Sequence, residues 1–134
     1  DSDIYQYLDA INHLDSQFSD TRFIYQTSVT DCSTYNNADG PWRVDSMNEF
    51  IRQAARESNG ILFDQADIEN WSITNREQST DIDSNGRTIY PRHSDYIEDG
   101  SESDYHDGHT NDELCIRKAK ALWVLLARML GWDG

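Results

Sequence analysis

Only two segments of the sequence have the make-up of core strands, and one helix separates them; no other feature constrains the fold as strongly. Residues 22–29 (RFIYQTSV) are rich in aromatic and β-branched side chains, and 61–63 (ILF) form a short apolar run ending at Asp64. Between them, residues 42–58 carry Val44, Met47, Phe50, Ile51, Ala54 and Ala55 along one side of a helix. Asn59-Gly60 then reads as a left-handed helix stop. A strand, a crossover helix and a second strand imply a parallel pair. Two parallel strands leave both edges open and cannot make a stable sheet by themselves. The remaining strands must come from more of the domain, on the same or a separate chain, or from copies of this one.

The flanking segments fit a layered α/β domain spanning residues 1–134. Residues 2–18 place Ile4, Tyr7, Leu8, Ile11, Leu14 and Phe18 at three- and four-residue steps, with Ser2 as N-cap. The stretch 31–41 (DCSTYNNADGP) has the chemistry of a loop. Residues 65–111 lack sustained periodicity and read as one long acidic loop. Asp112 opens a last helix that runs to about Leu130 and stops at Gly131. Its stripe of Trp123, Leu126 and Leu130, with Leu122, Leu125 and Met129 beside it, predicts a helix packed into a core.

Charge excludes several classes of function. Asp plus Glu number 25 against 11 Lys plus Arg, a net charge of −14. A field of that sign repels nucleic-acid phosphate and anionic membrane surfaces. The longest apolar run, ALWVLLA from Ala121 to Ala127, is far shorter than the roughly 20 residues a bilayer needs. No basic start followed by an apolar stretch marks a signal peptide in these residues.

Three blocks together resemble SGNH (GDSL-type) hydrolases. Asn59-Gly-Ile-Leu-Phe-Asp-Gln-Ala-Asp-Ile-Glu-Asn-Trp71 is similar to a strand and following loop of a bacterial subgroup, and Arg22-Phe-Ile-Tyr-Gln-Thr27 to the strand before it. His109-Thr-Asn-Asp-Glu-Leu-Cys115, with Lys118-Ala-Lys-Ala-Leu-Trp123 and Leu126-Ala-Arg-Met-Leu-Gly-Trp132, resembles that subgroup's closing segment. The resemblance implies a flavodoxin-like three-layer α/β/α sandwich with a parallel sheet, of which this chain holds the C-terminal half. It implies ester hydrolysis, an acyl group on a carbohydrate being one such substrate, with His109 as the base. The family's Asp three residues before its His is His106 here, so Asp107 is the expected orienting carboxylate, with Asp104 the other choice. The Gly-Asp-Ser nucleophile and Gly-x-Asn-Asp oxyanion motifs are not in these residues.

The residues themselves suggest further sites. A loop imidazole beside Asp107 would be held in one tautomer and made a better base, although an exposed histidine among acids needs no role. His106 and His109 with Asp104 and Asp107 could also hold a transition metal. Asp81-Ile-Asp83-Ser-Asn85-Gly86 matches the opening of a calcium loop. Position twelve of that loop is Arg92 and not Glu, so it is no EF-hand, and a solvated Asn-Gly turn is the simpler reading. Cys32 follows a strand and Cys115 starts a helix, which puts both at the carboxyl edge of a parallel sheet, where a disulfide would fit and would imply an extracellular setting. Asn70-Trp71-Ser72 is a glycosylation triplet. Trp71, Tyr90, Tyr96 and Tyr105 either pin the long loop to the core or stack on sugar rings.

The other class of function compatible with these features is a non-catalytic extracellular protein. It would bind glycans or calcium and assemble with its own copies into an oligomer or filament.

Overall fold

The computed structural model describes residues 2–28, 39–96 and 111–134. The first half is a right-sized β–α–β unit. Helix α1 (Ser2–Gln17) lies against helix α2 (Gly40–Glu57) and strand β1 (Ile24–Gln26), and strand β2 (Ile61–Phe63) follows α2. β1 and β2 are parallel, with Ile24 opposite Ile61, Tyr25 opposite Leu62 and Gln26 opposite Phe63. The core is one cluster: Ile4 and Ile11 of α1, Tyr25 of β1, and Ile51 and Ala55 of α2, with Leu8, Phe23, Ala54 and Leu62 packed on it. Ile4 and Ile11 are seven residues apart, two turns of one helical face. The α/β class with a parallel pair is therefore present, while the parallel sheet among the described residues has two strands and does not make a full sandwich.

The join between α2 and β2 shows why its residues are what they are. Pro41 sits in the first turn of α2, where its missing N–H costs nothing. At the other end Asn59, not Gly60, takes the left-handed backbone, at φ 51°. The Gly60 N–H donates to the Ala55 carbonyl at 2.8 Å and closes the helix end. Gly60 is needed for space: a Cβ there would lie 2.6 Å from Cε2 of the Tyr25 ring.

The segment after β2 has more structure than its composition suggests. Helix α3 (Gln65–Asn70) starts at once, capped by Asp64, whose carboxylate accepts from the Asp67 N–H at 3.2 Å. An antiparallel hairpin follows, β3 (Asp81–Ile82) with β4 (Thr88–Ile89), then a 3₁₀ turn at Ser94–Tyr96. These elements are short and are fixed by side-chain bonds. Asn70 donates both amide protons, to the Ser79 and Pro91 carbonyls, each at 2.7 Å. Periodicity has no purchase on two-residue strands, so the expectation of an unbroken loop over this part does not hold.

Helix α4 (Asp112–Met129) is capped by Asn111, whose side chain accepts from the Leu114 N–H at 3.0 Å, and ends before Gly131 at φ 94°. The core predicted along it is not there. Leu114 is fully buried, but Ile116, Leu122, Trp123, Leu126 and Leu130 are all exposed, Trp123 by 65% and Leu130 by 90%. The reason is the sheet. Two three-residue strands make a platform about two strand spacings wide, and α1 and α2 already use it. α4 packs through its first turns on α3 and then runs past the available apolar surface.

Candidate functional site

In parallel α/β layers ligands and catalytic groups gather beyond the carboxyl ends of the strands. Here that edge begins at Thr27, after β1, and Asp64, after β2. The Thr27 hydroxyl donates to Asp64 Oδ1 at 2.8 Å and accepts from the Ala66 N–H at 3.0 Å. Arg52, one turn before the buried Ala55 on α2, forks onto the same carboxylate: Nε reaches Oδ2 at 2.7 Å and Nη2 reaches Oδ1 at 2.9 Å. Arg52 also donates to Glu49 Oε1. Asn48, buried on α2, accepts from the Ser28 N–H at 2.8 Å and donates to the Ser28 carbonyl at 2.7 Å, which fixes the chain as it leaves β1.

This geometry determines what the groups can do. Burial alone would push the Asp64 carboxyl up, but the hydrogen bonds from Arg52 and Thr27 outweigh it and hold it below the ordinary carboxylate range. The hydrogen bond to Asp64 raises Arg52 above its ordinary value. Asp64 is thus a fixed anion and a poor proton acceptor at neutral pH. The Thr27 hydroxyl is committed on both sides. The described part of the edge is a positioning frame.

A second buried carboxylate ties that frame to α4. Glu69 on α3 is 1% exposed. Its Oε1 accepts from Gln65 Nε2 at 2.8 Å and Lys118 Nζ at 3.0 Å, and its Oε2 from Arg92 Nε at 2.8 Å. Nearby, the Tyr96 hydroxyl donates to the Trp71 carbonyl at 2.7 Å, and Arg117 Nη1 donates to both. Burial pushes the Tyr96 phenol up. Tyr96 and Trp71 therefore pin the segment, while Tyr90 stays 42% exposed.

Ser72, Asp95 and His93 meet, but in the wrong order for nucleophilic catalysis. Ser72 Oγ donates to Asp95 Oδ2 at 2.6 Å, and His93 Nδ1 lies 3.4 Å from Asp95 Oδ1. The serine proton faces the carboxylate and not the imidazole, so no base activates the hydroxyl. The Ser72 bond also holds the Asp95 carboxyl below its usual range. The Ser72 hydroxyl further accepts from the Thr74 and Asn75 N–H groups, as a turn-former does. Because Asn70 spends both amide protons inside the fold, the Asn70-Trp71-Ser72 triplet is not presented for glycan attachment.

The residues proposed from sequence divide into two groups. His109, Asp107, Asp104, His106, Tyr105 and Cys32 lie outside the described residues; the described chain resumes at Asn111, two positions after His109. Cys115 is exposed in the first turns of α4. Asp81, Asp83 and Asn85 are described and do not converge. Asp81 Oδ1 accepts from the Ile82 N–H, and Asn85 Nδ2 donates to Asp39 Oδ1 at 3.1 Å. Asp83 accepts from the Asn85 and Arg87 N–H groups and from the Arg87 guanidinium at 2.6 Å, which outweigh burial and lower its pKa. The cation in this turn is Arg87. Among the described residues no group of three or more His, Cys, Asp or Glu side chains is arranged to hold a metal ion. Arg52 and Glu69 were not legible in the sequence, because their partners lie on other segments.

Compared with protein-family models, curated proteins and solved structures, the chain matches none of them.

Proposed function

We propose that the chain is the C-terminal part of an SGNH-type ester hydrolase, completed by a segment that brings the missing strands and the nucleophilic serine. In this reading His109 takes the serine proton as the hydroxyl attacks the ester carbonyl, and returns it to the departing alcohol. Water then releases the acyl group by the same route. Asp107 orients the imidazole. The setting is extracellular, with a Cys32–Cys115 bridge across the carboxyl edge. Calcium at Asp81, Asp83 and Asn85 is no part of the proposal, because Arg87 already neutralises Asp83.

The observation that carries the reading is an unfinished parallel unit whose elements coincide with the blocks of the resemblance. Residues 22–27 run through β1, 59–71 through β2 and α3, and 118–132 along α4. Among the described residues β1 and β2 pair only with each other, and α4 leaves an apolar face uncovered. Both features call for more α/β structure on the same layer.

The test is hydrolysis of p-nitrophenyl acetate by the chain alone and by the chain co-expressed with the polypeptide encoded upstream of it. The chain alone should be inactive. The completed protein should be active and should lose on the order of 10³-fold or more with His109→Ala. Activity that survives His109→Ala would defeat the assignment.

The exposed α4 face also suits a second reading, in which copies of the chain cover one another in a non-catalytic assembly. Light scattering that found a homopolymer of 15.5 kDa chains with no serine-bearing partner would favour it.

A further inference from the structure

A cleft of about 540 Å³ opens between α2, the start of α3 and the β3–β4 hairpin, beside the Arg52–Asp64 pair. Its volume is in the range of small-molecule sites. Trp42 and Tyr90 line it and are 40% and 42% exposed. Both are fixed in advance. The Arg87 guanidinium lies over the Trp42 ring, 4.4 Å from its centre, and the Tyr90 N–H donates to Asp45 Oδ2 at 2.8 Å. The polar lining mixes acceptors with donors: Glu49 and Asp67 with Arg56 and Gln78.

Asn70 supplies an independent sign. It lines the cleft, is 2% exposed, and its Oδ1 has no hydrogen-bond partner among the described residues, although its amide nitrogen has two. A buried acceptor left unpaired costs free energy, so a group that donates to it is favoured there.

We propose that this cleft binds a neutral carbohydrate chain. Sugar rings present flat C–H faces to Trp42 and Tyr90, and their hydroxyls both donate and accept, which suits a lining of carboxylates, guanidinium and amide. The net charge of −14 disfavours uronates and sulfated glycans. The cleft lies at the carboxyl edge, so the proposal deepens the esterase reading by making the substrate an acylated neutral glycan, while binding itself needs neither His109 nor the serine.

The test is isothermal titration of the chain, and of its completed form, with cello-, xylo-, manno- and N-acetylchito-hexaose, and with hexagalacturonate as the charged comparison. At least one neutral hexamer should bind. Trp42→Ala and Tyr90→Ala should each weaken it about tenfold. Trp42→Phe, which keeps a ring, should retain most of the affinity, and Trp123→Ala on α4 should change nothing. His109→Ala should leave binding intact. Glycan binding by a completed form that fails to hydrolyse p-nitrophenyl acetate would leave this proposal standing and remove the esterase reading. The proposal is overturned if none of the four binds at about 10 mM, if hexagalacturonate binds best, or if binding survives both Trp42→Ala and Tyr90→Ala in folded protein.

Discussion

Helices α2 and α4 are both 18 residues long and both carry an apolar stripe, yet they end up in opposite environments. α2 buries Val44, Asn48, Ile51 and Ala55 along one face, against β1 and α1. α4 buries Leu114 alone and leaves Leu122, Trp123 and Leu126 exposed, with Trp123 resting edge-on against Trp132 at 5.9 Å. Amphipathic pattern marks a face for burial; it does not supply the surface that buries it. α2 has two strands beneath it, and α4 has reached the limit of the same small sheet. The contrast locates the face on which the proposed completing layer would sit.

The largest effect should come from the bond that fastens α4 to the rest. Glu69→Ala leaves Arg92 and Lys118 without their buried counter-charge and should cost about 3–5 kcal/mol. Urea unfolding would measure it, and a change within experimental error would mean that α4 is not held there. The α2 side offers the next effect. Asp64→Asn removes the anion that Arg52 and Thr27 grip and should cost about 2 kcal/mol at pH 7. The folded pKa of Asp64 is lowered, so its contribution is fully present above the unfolded value of about 3.9 and is lost as pH falls below it. Stability of the natural protein should therefore drop below about pH 4 more steeply than that of Asp64→Asn. Equal slopes in urea midpoints at pH 7, 4 and 3 would contradict the assignment.

Two smaller changes sharpen the comparison. Gly60→Ala drives a methyl into the Tyr25 ring inside the finished core and should cost about 1–3 kcal/mol. Trp123→Ala on the exposed face of α4, though it deletes a far larger group, should alter the isolated chain by only about 0.5 kcal/mol. In the completed protein the same substitution should cost about 2 kcal/mol or more, as loss of a buried aromatic anchor does.

How far the sequence could be read follows the same division. α1, α2, α4 and the parallel pair were legible because their apolar residues recur at fixed steps. The elements between Gln65 and Tyr96 were not, because they hang on single bonds across long sequence gaps, such as Asn70 to Pro91 and Ser72 to Asp95. The stripe on α4 was legible as apolar, but its exposure depends on a sheet width that no helix pattern encodes. The Asp83 turn reads as a cation loop from its oxygens; its pairing with the Arg87 guanidinium, four residues on, shows only in the fold. Of the site, His109, Asp107 and Cys32 lie outside the described residues, and Arg52 and Glu69 emerged only when distant segments met.

The claim beneath all of this is that α4 awaits a covering layer. Amide hydrogen exchange tests it most directly. In the isolated chain, amides from Leu122 to Leu130 should exchange about 100-fold or more faster than those from Ile51 to Ala55, and should slow once the completing polypeptide is bound. Equal protection of the two stretches in a lone monomer would contradict the account.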